Sequence, residues 1–411
     1  MRWLGFLLAV AAWAQMTLDQ AMDLASKGKF AEAERALLGL EKSQPEDLEV
    51  RFRLGLILLR NGKVQEASAR FEGVVKANPD VATVWLAVAQ TRLKLGDSAG
   101  AVEAIQRAEK LSPQDPPVWR AAAMIYEGTG DVARAIGFQE RWLRVAPNDM
   151  ASQLRLARLY EASKDSAKAV RIYQEAIDRA PEQWPPYAGL VELLLAHRTS
   201  APALTVLEAA AERFAKNPEY WRLLGLAQYQ MGDIGKALDA FLRISEIAPD
   251  EEMGYASLET LLADAGDRRG EIVRRLRGFR TRKPGSPIGH YLLARCLLLE
   301  GDRSLTVAAL LRQALQADAG FWPAAFELGQ LLEEQGKTAE ALPLLRRVIQ
   351  ANAEYAPAHY SLSRIYARQG NRALAVEHRK RHGELVDKER EAAERARTEN
   401  PVLDYRVEKG R

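Results

Sequence analysis

The chain has 411 residues, of which 47% are hydrophobic and 27% charged, and its formal net charge is +3. So small a net charge gives no electrostatic ground for a nucleic-acid partner. A single cysteine, Cys296, excludes an intramolecular disulfide; it lies in the apolar run Tyr291 to Leu299, where a small buried hydrophobe is expected.

The first element is short. Arg2 precedes the apolar stretch Trp3 to Ala11, and Ala12-Trp13-Ala14 follows. This reads as a secretory signal over residues 1–14, cut after Ala14. It is too short to span a bilayer permanently, and no cysteine follows the cut to carry a lipid. The mature chain is expected to begin at Gln15, outside the cytoplasm, periplasmic or secreted. Thr17, with Gln20 three residues on, predicts a capped helix from the first turn.

From there one period governs the chain. Alanine recurs every 34 residues, at Ala33, Ala67, Ala101, Ala135, Ala169, Ala203 and Ala237, and the series resumes at Ala341 and Ala375. Glycine keeps step at Gly28, Gly62, Gly96, Gly130, Gly232, Gly266, Gly301, Gly336 and Gly370. Proline follows at Pro45, Pro79, Pro113, Pro147, Pro181 and Pro249. An apolar helical stretch such as Phe52 to Leu59 precedes the glycine, which ends it in a tight turn. The second helix carries the alanine inward, so that two helices approach closely. Apolar residues four and seven positions later, such as Phe71 and Val74, share its face. The proline then stops the helix, because the residue before it is pushed out of the α region.

These motifs resemble the tetratricopeptide repeat. The unit from Pro218 carries Trp221, Leu224, Gly225, Gly232, Ala237, Phe241 and Pro249. The unit from Leu48 carries Leu54, Gly55, Gly62, Ala67, Phe71 and Pro79, and the unit from Pro116 carries Trp119, Tyr126, Gly130, Ala135 and Pro147. About eleven units begin near residues 14, 48, 82, 116, 150, 184, 218, 252, 287, 322 and 356. The resemblance implies an all-α, right-handed superhelical solenoid of antiparallel helix pairs with no β-sheet.

The reading divides the mature chain into an N-terminal stack, 15–251, a degenerate unit and break, 252–285, and a C-terminal stack, 286–371. A charged capping helix, 372–398, and a flexible tail, 399–411, complete it. In the degenerate unit Glu271 stands at the packing-alanine position and Gly278 at the second small position. The unit ends in Lys283-Pro284-Gly285-Ser286-Pro287, and one extra residue precedes each of Gly301 and Gly336.

No phosphate-cradling loop, nucleophile elbow or cysteine pair appears, and no enzyme, metal or cofactor is expected. His378 and His382 have the i, i+4 spacing of metal ligands, but Arg379, Lys380 and Arg381 surround them, so a solvated charged helix is expected instead. His290 and His359 are isolated.

The resemblance implies that the first helix of each pair lines a groove for a protein or peptide. Carried over by position, that surface comprises Phe52, Leu56, Leu86, Arg120, Met124, Leu154 and Arg158 in the earlier units. It continues through Arg222, Tyr229, Tyr291, Arg295, Phe326, Tyr360 and Arg364 in the later ones. Aromatics and arginines are the types enriched in binding hot spots. No asparagine falls on a predicted first helix, which argues against the asparagine-based gripping used by some members of the family. A second feature is the basic run Arg268, Arg269, Arg274, Arg275, Arg277, Arg280, Arg282 and Lys283, broken by one acid, Glu271. It suits an anionic partner, either an acidic segment or an envelope glycan or glycolipid. The leading reading is a non-enzymatic scaffold of the bacterial envelope. An accessory subunit of a polysaccharide or secretion machine stays open, and an RNA-binding helical repeat stands as the remote alternative.

Overall fold

The structure, a computed structural model, describes residues 16–399. The signal segment 1–14 and its cleavage point lie outside the described residues, as does the tail from 400. The chain divides into two compact units at 179/180.

The first unit holds five helix pairs. These are α1 (Leu18–Ser26) with α2 (Phe30–Ser43), α3 (Leu48–Arg60) with α4 (Val64–Ala77), α5 (Ala82–Lys94) with α6 (Ser98–Leu111), α7 (Pro116–Gly128) with α8 (Val132–Val145), and α9 (Met150–Ala162) with α10 (Ser166–Arg179). The second unit holds six. These are α11 (Trp184–Ala196) with α12 (Ser200–Phe214), α13 (Pro218–Gln230) with α14 (Ile234–Ile247), α15 (Glu252–Glu259) with α16 (Arg269–Arg282), α17 (Pro287–Leu299) with α18 (Leu305–Ala317), α19 (Trp322–Glu334) with α20 (Thr338–Ala351), and α21 (Ala356–Arg368) with α22 (Arg372–Glu399). No strand occurs among the described residues. Thr17 caps α1 through the expected box, its hydroxyl accepting from the Gln20 amide while the Gln20 side chain accepts from the Thr17 amide.

Short connectors make each pair antiparallel, and the connector needs one left-handed residue. Nine glycines of the ladder supply it, with φ from +50° to +84°. The ladder skips glycine twice, at Lys164 and Arg198. These two are the positive-φ non-glycine residues among those described, at φ +64° and +56°. The turn is therefore built to the same plan, with backbone strain where the glycine is missing.

The inward face of each second helix is a three-step ladder: the packing residue, then the fourth and seventh after it. Ala33, Leu37 and Leu40, Ala67, Phe71 and Val74, and Ala237, Phe241 and Ile244 are all buried. The series does not lapse at the unit 252–285, which corrects the expectation for Glu271 and Gly278. A 3-10 turn, Gly266–Arg268, adds one residue before α16. The helix therefore enters one position late and buries Ile272, Leu276 and Phe279, each 0% exposed, while Glu271 turns outward. The Phe279 ring stacks on Tyr255 at 4.1 Å. One further residue in the turn after Gly301 places Val307, Leu311 and Ala314 in the same three roles. The hydrophobic core of the second unit thus runs through α16, from Ala237 to Tyr366.

Apart from the capping helix α22, where Arg379 and His382 stand at these steps, the exception lies in α8. Four residues after Ala135 stands Gln139, 1% exposed, its amide donating to the Ser152 carbonyl at 3.2 Å. Seven after it stands Trp142, left half-exposed. Elsewhere the small ladder residues permit contact so close that a Cβ on Gly55 or Gly225 would lie 2.4 Å or 2.3 Å from the Phe71 or Phe241 ring.

A second ladder is polar. The fourth residue of many first helices reaches back to the carbonyl six residues upstream: Trp85 to Pro79 at 2.7 Å, Trp119 to Pro113 at 2.9 Å, Gln153 to Pro147 at 2.6 Å, and Trp221 to Ala215 at 2.9 Å. Tyr255, His290 and His359 do the same with Pro249, Pro284 and Ala353, each at 3.1 Å. The position selects a long side chain with a donor at its tip, which explains why its chemistry varies while its place does not.

Candidate partner-binding surface

The predicted groove residues all fall on first helices, but they divide by burial. Leu154, Tyr291 and Phe326 are buried, and Phe52, Leu56 and Leu86 are half-buried against the core. Phe52 meets Phe71 with ring centroids 5.7 Å apart, and Phe326 meets Tyr355 at 4.8 Å. These six serve packing between helices. Arg120, Met124, Arg158, Tyr229, Tyr360 and Arg364 are exposed, whereas Arg222 and Arg295 are half-buried.

In the second unit the arginines of this face are paired with acids from neighbouring first helices. Arg222 of α13 meets Glu192 of α11 at 2.9 Å. Arg295 of α17 meets Glu327 of α19 at 3.0 Å and Glu259 of α15 at 3.7 Å. The Tyr291 hydroxyl donates to Glu259 at 2.6 Å. Arg364 and Arg368 of α21 converge on Glu333 of α19, at 3.1 Å and 3.6 Å. Burial pushes the Glu327 carboxyl above its usual range, opposed by Arg295. Burial also raises the Tyr291 phenol, which the Glu259 carboxylate raises further. Acid–base pairs therefore link successive first helices and neutralise this stretch of the face, a pattern invisible without the neighbour's register.

In the first unit Arg155 of α9 pairs with Glu127 of α7 in the same way, but Arg120 differs. Arg120 lies over the Trp142 ring, 5.6 Å from its centroid, and makes no ion pair among the described residues. Trp142 donates its indole N–H to Asp149 at 2.9 Å. Asp149 also accepts from the Ser152 hydroxyl at 2.8 Å and from the Ser152 amide at 3.2 Å. Burial raises this carboxyl, but the hydrogen bonds from Trp142 and Ser152, with the Arg120 charge, leave it below its usual range. Pro117, Arg120, Ala121, Met124 and Trp142 line an open surface hollow of about 260 Å³. The motif reading did not single out Trp142. The available signal was a tryptophan seven residues after Ala135, where neighbouring units carry Val74, Ala108 and Ala176.

The basic run divides too. Arg268 pairs with Asp239 at 2.7 Å and Glu271 at 3.0 Å, Arg275 with Glu246 at 2.6 Å, and Arg282 with Asp250 at 3.1 Å. Arg269 donates to the Leu262 carbonyl at 3.2 Å. Those four tie α16 to its predecessors. Arg274, Arg277, Arg280 and Lys283 make no ion pair among the described residues.

His378 and His382 are not solvated as expected; they turn toward α21. His359 and His378 share a hydrogen bond between their Nδ1 atoms at 2.9 Å, and His382 Nδ1 meets the Ala356 carbonyl at 3.1 Å. Because His359 Nε2 faces the Ala353 carbonyl it must donate there, leaving its Nδ1 to accept from His378. The capping helix needed such a contact because little of it beyond Leu385 is apolar.

Tetratricopeptide-repeat models match residues 18–67, 57–116 and 89–150, and a second model of the same repeat matches 161–226 and 332–378. The chain is a member of the tetratricopeptide repeat family. No curated protein matches the sequence. Among solved structures, yeast Tom70 is similar at 13% identity and a TM-score of 0.50, over 95% of each chain. A tetratricopeptide repeat protein from Parabacteroides merdae is 19% identical with a TM-score of 0.44, over 59% of this chain and 96% of that one. The first likeness supports the fold alone. The longer stretch between the matched segments, 227–331, contains the register shift of 252–285.

Proposed function

We propose that the chain is an exported, non-enzymatic scaffold of the bacterial envelope that binds a peptide or helix of a partner protein along its first helices. The observation that supports this reading is the set of exposed aromatic, methionine and arginine side chains on those helices. Tyr229, Tyr360 and Met124 are each 36–43% exposed, in positions that the packing ladders do not use. Apolar anchors beside planar cations are the usual chemistry of protein recognition. Export rests on the N-terminal segment; Gln15 as the first residue of protein from the native host supports it, and an intact Met1 removes it. No helix among the described residues is long and apolar enough to cross a membrane. The unpaired cations Arg274, Arg277, Arg280 and Lys283 form a second contact for an anionic envelope component or an acidic segment, and reversal of Arg274 and Arg277 to glutamate should abolish it. Affinity capture from envelope extract tests the main reading. A partner retained by the wild-type chain and lost from a folded Tyr229→Ala/Tyr360→Ala/Met124→Ala variant supports it. Undiminished capture by that variant contradicts it.

A further inference from the structure

We propose that the hollow floored by Trp142 is the docking point for an acidic segment of a partner protein, which seats an apolar side chain on the indole and a neighbouring carboxylate on Arg120. The inference rests on the groove reading above and gives that groove a location and a partner chemistry.

The first ground is the broken ladder. At the seventh position after the packing residue, other second helices carry Val74, Ala108, Ala176, Ala210, Ile244 and Val348, all buried. Trp142 instead stays half-exposed there, and with Gln139 it removes two apolar steps from the core. A local departure from the packing rule with no packing gain is the mark of a functional position. The second ground is preorganisation. The indole is held by its bond to Asp149, and Asp149 by two bonds from Ser152. A ligand therefore meets an aromatic floor whose orientation is already fixed. Its wall includes Met124, 41% exposed, an adaptable side chain suited to varied apolar anchors.

The third ground is charge. The groove arginines of the second unit each hold a glutamate, whereas Arg120 lies over the face of an indole and makes no ion pair among the described residues. Its guanidinium can accept a carboxylate in the bidentate fashion without first breaking an ion pair. Asp149 does not substitute for that carboxylate, because its acceptors are directed to Trp142 and Ser152. Tryptophan and arginine are both among the side chains enriched at binding hot spots.

The test is selection of a random twelve-residue displayed peptide library on the full chain. Enriched sequences should place an apolar residue beside Asp or Glu. A synthetic peptide of the leading sequence should lose affinity by about tenfold or more on Arg120→Glu and on Met124→Glu. Both positions are exposed, and each variant should keep the helical circular dichroism of the parent. Arg120→Lys should recover part of the loss. Enriched peptides without an acidic residue overturn the proposal, as do peptides that bind both variants unchanged. If such peptides instead lose binding on Tyr229→Ala or Tyr360→Ala, the groove reading survives and the docking point falls. If no peptide is enriched, both fall. A leading peptide displaced from the hollow by a single-stranded RNA oligonucleotide would reassign the indole to base stacking and overturn the proposal.

Discussion

The pairs α7–α8 and α15–α16 exchange the roles that their sequences suggest. Residues 116–147 match the repeat motif well, and residues 252–285 match it poorly. Yet α16 buries a complete ladder of Ile272, Leu276 and Phe279, while α8 places Gln139 and Trp142 at two of its three inward steps. The 3-10 turn at Gly266–Arg268 costs one residue of register, and a helix shifted by one residue still presents an i, i+4, i+7 face. A change of residue type at an inward step cannot be repaired in that way. What holds a repeat in the array is the face that meets its neighbours, and identity at a motif position is only a proxy for it.

That contrast can be broken most severely at Phe279. Phe279→Ala removes a fully buried ring stacked on Tyr255 and should destabilise the second unit by about 3–5 kcal/mol, measured by urea unfolding. A loss below about 1 kcal/mol would mean that 252–285 is the loose segment its motif suggests. The counterpart in α8 should behave oppositely. Trp142→Ala should cost less stability than Phe279→Ala, because the indole is half-exposed, yet cost more in binding of a groove peptide. Equal stability losses at the two sites would remove the contrast. A smaller gain is expected where the turn ladder lacks glycine. Lys164→Gly and Arg198→Gly should each stabilise by up to about 1 kcal/mol by relieving a left-handed backbone, read as a rise in the thermal midpoint.

The smallest effect concerns pH at the end of the second unit. Burial holds both His359 and His378 below the ordinary histidine value of 6.5. For His359 the Ala353 carbonyl and Glu377 oppose the shift, while Arg381 and His382 add to it. For His378, His359 and Arg346 add to it and Glu377 opposes it. Depressed folded values mean that the unfolded chain binds more protons as pH falls. The docking of α22 should therefore be fully stable above 6.5 and weaken as pH drops through 6.5 toward the folded values. Amide exchange of α22 at pH 7.5 and 5.5 reads this, and a His359→Gln/His378→Gln variant should flatten the difference.

Much of the fold was legible because the repeat imposes one local chemistry many times. Alanine and glycine spacing located both helices of a pair, and the helices ending at Ser43, Ala77, Leu111, Val145, Arg179 and Ile247 stop two residues before the ladder prolines. Lys164 and Arg198 escaped notice because a left-handed residue without glycine leaves no mark in the sequence. The inward shift at α16 does not show at fixed motif positions, because an inserted residue moves the whole buried face by one. The groove was legible only by helix. Tyr291 and Arg295 were correctly placed on a first helix, but the glutamates that engage them lie about one repeat away, at Glu259 and Glu327. Pairing at that distance depends on how successive helices align, which a single repeat does not encode.

The most direct measurement is hydrogen exchange along the full chain, with and without a peptide selected on it. The account predicts slow exchange in α16, comparable with α14, in the free chain. It predicts that the peptide adds protection to α7, α8 and the start of α9, around Arg120, Met124 and Trp142. Fast exchange throughout α16, together with peptide protection confined to α16 or to second helices away from Trp142, would contradict it.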